Sequence, residues 1–84
     1  MAFENQLIKI ARNELKLWKE QVNDPFFVAS DLQCKKVTNA TLNSIRTQIT
    51  NLYPKYSEER EKIISNCLMQ SRQWCDNYWK KKTE

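Results

Sequence analysis

Apolar residues return every three or four positions along the first quarter of the chain, at Phe3, Leu7, Ile10, Ala11, Leu15, Leu17, Trp18 and Val22, with Ile8 at the margin. This spacing follows the 3.6-residue helical period and predicts a first helix from Phe3 to Val22. At about 100° per residue the apolar positions cover close to half the helix circumference, while Lys9, Arg12, Lys16 and Lys19 gather on the other side. One neighbouring helix covers less than that, so the breadth points to contacts on two sides or to a partner surface. Glu14 falls inside the apolar arc and is expected at its rim beside a lysine.

Asn23-Asp24-Pro25 stops the first helix, because proline cannot continue it and disfavours helical geometry in the residue before. Asp24 can cap a short second helix with Pro25 at its first position, running through Phe26, Phe27, Val28, Ala29 and Leu32; a short buried strand is the alternative for residues 25–33. Cys34-Lys35-Lys36 reads as a basic connector. A third helix is expected from a cap at Thr38 or Asn39 to Tyr53, with the narrow stripe Leu42, Ile45, Ile49, Leu52 and Tyr53. Its other side is unusual: Asn39, Asn43, Ser44, Thr47, Gln48, Thr50 and Asn51 are uncharged hydrogen-bonding residues, Arg46 sits near the edge, and no carboxylate occurs.

Pro54 ends that helix. Ser57 caps the next, with Glu58, Glu59 and Glu61 in the first turn, where the helix dipole favours negative charge. This fourth helix would run to about Lys82, ~38 Å if unbroken. Its broad stripe is Ile63, Ile64, Cys67, Leu68, Trp74, Cys75, Tyr78 and Trp79, with Ser71 inside it. Lys80, Lys81 and Lys82 close it with the charge that the negative end of the dipole prefers. The pattern therefore predicts an all-α fold: a small bundle of about four helices with a long C-terminal helix, forming one domain over residues 1–84.

Composition narrows the chemistry. Glycine is absent from the 84 residues, which removes phosphate-cradling loops, dinucleotide fingerprints and primed hairpin turns together. Histidine is also absent, and with it the commonest general base near neutral pH and the commonest metal ligand. The acidic residues are scattered or grouped at a helix start, and no cysteine has a base partner in the pattern, so no catalytic, cofactor-binding or metal site is expected and the chain is read as a non-enzyme. Cys34, Cys67 and Cys75 make an odd count, and no charged-then-apolar opening resembles a secretory signal, so a reducing, cytoplasmic setting is expected. The cysteines read as small buried hydrophobes. No apolar run approaches a membrane span.

What remains is contact surfaces. Trp18, Trp74, Tyr78 and Trp79 are many large rings for so short a chain, and Trp and Tyr are enriched at interface hot spots. Trp18 and Trp74 lie well inside their stripes and are expected in the core, whereas Trp79, beside Lys80, is expected to be exposed. A partner-binding surface is accordingly assigned to Leu17, Trp18, Trp74, Tyr78, Trp79 and Lys80, with another protein or a second copy of the chain as the partner.

A net charge of +4 also admits nucleic acid. Val37-Thr38-Asn39-Ala40-Thr41-Leu42-Asn43-Ser44-Ile45 followed by Ile49 resembles the second half of a helix-turn-helix, although Leu32, Lys35 and Lys36 stand where the first half usually has a small residue, an apolar residue and a turn glycine. That resemblance implies recognition through Lys35, Lys36, Asn39, Asn43, Arg46 and Thr47, whose amides and guanidinium could pair with base edges. Attachment to an anionic membrane is disfavoured by Glu58, Glu59, Glu61 and Asp76 on the helix that carries Trp74, Tyr78 and Trp79. The resulting expectation is a protein-binding regulator (an adaptor, antagonist or inhibitor), with helix-turn-helix-like nucleic-acid binding as the runner-up. By class analogy alone, compact, basic, cofactor-free chains of this kind are common among accessory proteins of bacteriophages and mobile elements.

Overall fold

A computed structural model describes the chain from Ala2 to Glu84, with side chains from Asn5 onward. Among the described residues it contains three helices and no strand: α1 (Ala2–Val22), α2 (Asp31–Leu52) and α3 (Glu58–Thr83). The expected short helix after Pro25 does not form, so three helices stand where about four were predicted. Asp24 caps one turn only. Its carboxylate accepts the Phe26 N–H at 2.8 Å and its carbonyl accepts the Phe27 N–H at 3.0 Å, after which Val28, Ala29 and Ser30 carry no helix or strand hydrogen-bond pattern.

The better cap is Ser30. Its backbone is extended (φ −129°, ψ 153°) and its hydroxyl accepts the Gln33 N–H at 3.2 Å, the first half of a Ser-x-x-Gln capping box. Nothing in residues 32–39 breaks the helix once it has started, since Lys and Gln are good helix formers and neither Gly nor Pro intervenes. Thr38, expected to be a cap, instead donates its hydroxyl to the Cys34 carbonyl one turn back at 2.7 Å, an arrangement compatible with a helix interior. The turn that a helix-turn-helix needs at Val37-Thr38-Asn39 is therefore absent, and α2 runs unbroken through it.

Ser57 caps α3 as predicted, accepting the Arg60 N–H at 3.0 Å with Glu58, Glu59 and Glu61 in the first turn. The Arg60 guanidinium bonds the Tyr53 carbonyl and ties the α2–α3 turn. The helix remains continuous through Ser71, about 39 Å over its 26 residues.

The helices run up, down and up in an elongated body of 40 × 20 × 18 Å. Trp18 bonds Thr38 while Glu14 bonds Ser44 and Gln48, so α1 and α2 are antiparallel. Trp79 bonds Asp31, Arg72 bonds Asn39 and Arg46 bonds Glu61, so α2 and α3 are antiparallel too. Two core clusters stack along the axis. One is aliphatic, built from Leu7, Ile10, Ala11, Leu42, Ile45, Ile49 and Ile64. The other is aromatic and sulfur-rich, built from Trp18, Val22, Cys34, Cys75 and Trp79 with Leu15, Phe27, Val37 and Tyr78 against it.

Candidate protein-docking groove

The apolar arcs of α1 and α3 are wider than their packing against α2 and each other consumes. Between them an open trough of about 530 Å³ is left, lined by Leu7, Ile8, Ala11, Arg12, Leu15, Ile63, Asn66, Cys67, Gln70, Ser71 and Trp74. Ile8 remains 50 % exposed and Trp74 42 % exposed. From Ile63 to Trp74 the trough follows α3 for about 16 Å, three helical turns.

Trp74 is held at the end of this groove by other rings. It stacks on Tyr78 (centroids 5.5 Å apart, planes 19° apart) and meets the edge of Trp18 at 5.8 Å. Trp18 is completely buried, packs edge-on against Tyr78 and donates its indole N–H to Thr38 Oγ1 at 3.0 Å. Tyr78 is fixed in turn, because Asn23 Nδ2 donates to its hydroxyl at 2.7 Å and Lys19 Nζ lies 5.6 Å from its ring centroid. The exposed indole thus sits on a rigid aromatic base, which reduces the entropy lost on binding.

The residues singled out for partner binding divide unevenly. Leu17 and Lys80 are exposed, Tyr78 is half-buried and Trp74 borders the groove, while Trp18 lies entirely in the core. The two tryptophans of α3 exchange their expected places. Trp79 is 8 % exposed, packs edge-on against Phe27 at 6.0 Å and donates its N–H to Asp31 Oδ1 at 2.9 Å. The cause is the early start of α2, whose first turn and preceding loop cover Trp79 and leave Trp74 facing outward. Ile8, Arg12, Ile63, Cys67 and Gln70 also line the groove and lie outside the expected site; the signals for them in the chain are the marginal position of Ile8 and the excess width of the α1 arc.

The residues considered for nucleic acid, Lys35, Lys36, Asn39, Asn43, Arg46 and Thr47, are exposed and share about one third of the α2 circumference. Two are engaged internally: Asn39 Oδ1 accepts from Arg72 at 3.1 Å, and Arg46 pairs with Glu61 at 3.2 Å. Ser44 and Gln48, part of the same uncharged set, turn toward α1 and donate to Glu14 Oε1, which explains a carboxylate inside an apolar arc.

Burial raises the thiol pKa of all three cysteines, Cys75 to about 12, so they stay protonated at neutral pH. Among the described residues no group of three or more Cys, Asp or Glu side chains is arranged to hold a metal ion, and no helix is long and apolar enough to cross a membrane. Comparison with protein-family models, curated proteins and solved structures finds no match.

Proposed function

We propose that this protein is a stoichiometric binding module, an adaptor, antagonist or inhibitor, that docks another protein through the apolar groove between α1 and α3. The observation that carries the reading is the groove itself: Ile8 and Trp74 border a concave apolar floor three turns long, the form that receives an amphipathic helix in helix-in-groove recognition. The pre-stacked indole supplies the aromatic anchor that such interfaces favour. Affinity capture with the tagged chain, with and without nuclease, tests it. A protein that survives nuclease, binds the wild type and is lost by Ile8→Asn supports docking in the groove.

A second reading places nucleic acid on the outer face of α2, supported by the grouping of Lys35, Lys36, Asn43 and Thr47 on one exposed side. Capture that disappears with nuclease and is indifferent to Ile8→Asn would favour this face over the groove.

A further inference from the structure

We infer that the occupant of the α1/α3 groove is an amphipathic helix of another protein whose flanks carry carboxylates. This rests on the reading of the groove as a docking surface and adds the chemistry of what docks there. The two edges of the groove differ in kind. Along α1 the edge is cationic: Arg12 lines the trough, and the exposed Lys16 and Lys19 follow at helical spacing. Along α3 the edge is a row of exposed carboxamides, Asn66, Gln70, Gln73 and Asn77, again at spacings of three and four. Among the described residues no carboxylate lines this stretch. Glu14 turns toward α2, and Glu59 lies a turn before Ile63 against the α2–α3 connection.

An apolar floor, one positive edge and one neutral hydrogen-bonding edge complement a helix with an apolar stripe at i, i+3, i+4 and i+7 and acidic residues on the α1 side. A second copy is a poorer fit. It would bring the same cations and carboxamides, and neither supplies the missing negative charge. A small apolar ligand is a poorer fit too, because the trough is open along its length and its polar residues lie along the rim, not converging on one point.

The test is selection of a displayed library of helical peptides on the full chain. The apolar stripe is held constant and the flanking positions are drawn from Glu, Gln and Lys. Glutamate should be enriched on one flank. The best peptide should bind at least about tenfold more tightly than its lysine twin and weaken as salt is raised. Reversing the edge with Arg12→Glu and Lys16→Glu should weaken that peptide about fivefold or more and move enrichment toward lysine. Neutral or basic flanks, or glutamate peptides indifferent to the reversal, would overturn the acidic partner while leaving the groove as a dock, provided Ile8→Asn still abolishes binding. Absence of any enrichment, or binding that ignores Ile8→Asn, would remove the docking reading as well. Circular dichroism verifies that each variant is folded. A dimer of the chain alone that Ile8→Asn dissociates would assign the groove to a second copy and overturn the inference.

Discussion

Thr38→Val replaces a hydroxyl by a methyl group at a site 2 % exposed, a change that transfer energetics alone would favour by about 1 kcal/mol. The structure predicts the opposite sign. The Thr38 hydroxyl accepts the indole N–H of Trp18 at 3.0 Å, and Trp18 is 0 % exposed, so no water can replace the lost acceptor. A stranded buried donor costs about 1–3 kcal/mol. The Cys34 carbonyl also loses the hydroxyl it accepted, but as a helix-interior carbonyl it retains its backbone bond, so its loss is minor. The net expectation is a destabilisation of about 1–2 kcal/mol. For a chain of this size that lowers Tm by roughly 5–15 °C. Thr41→Val is the internal control: Thr41 lies one turn along the same helix, is 7 % exposed and has no side-chain hydrogen-bond partner among the described residues. The same chemical change there should be neutral or mildly stabilising. Thermal unfolding followed by helical circular dichroism measures both. If Thr38→Val equals Thr41→Val, or raises Tm, the buried Trp18–Thr38 bond does not hold α1 to α2.

Three further outcomes follow from the packing. Ser30→Ala removes the cap that starts α2 and should cost about 1 kcal/mol in urea unfolding, whereas Asn39→Ala, at an exposed mid-helix position, should cost less in the same assay. Glu14→Ala leaves Ser44 and Gln48 without their shared acceptor in a half-buried site and should cost about 1–2 kcal/mol; a change below the error of the measurement would show that the pair is satisfied by water instead. Cys75 titrates at about 12 when folded, against an ordinary thiol value of 9.0. The unfolded chain therefore loses this proton first, so the stabilisation is complete below pH 9 and is lost as pH rises from there toward 12. At pH 10 the loss is on the order of 1 kcal/mol. Cys75→Ala should flatten that part of the stability–pH curve, and an unchanged slope would contradict the assignment.

The ends of α1 and α3 were legible because their signals are local. Pro25 cannot continue a helix, and Ser57 with Glu58, Glu59 and Glu61 satisfies both the orphan N–H groups and the dipole of the next. The start of α2 was open to misreading because three capping residues compete between Asp24 and Thr38. Local rules rank Asp24-Pro25 and Thr38-Asn39 well, yet only Ser30 is followed at the third position by Gln33 and then by an unbroken helical run. One misplaced helix start then carried through to the site. With α2 beginning at Asn39 nothing covers Trp79, whereas with α2 beginning at Asp31 its first turn takes the Trp79 N–H and Trp74 becomes the exposed ring. Membership of an apolar stripe could be read from spacing; which margin of the stripe a neighbour covers depends on where that neighbour starts. The groove was foreshadowed only by the excess width of the α1 arc, because a concavity belongs to two helices together and to neither sequence segment alone.

A photoreactive residue placed at Gln70, on the α3 edge of the groove, and separately at Asn43, on the outer face of α2, tests the docking claim in the cells that make the protein. Both positions are exposed, so neither insertion disturbs the core. A discrete cross-linked protein species from position 70, absent from position 43 and abolished by Ile8→Asn, is the predicted result. Cross-links from position 43 alone, or the same species from both positions, would contradict docking in the α1/α3 groove.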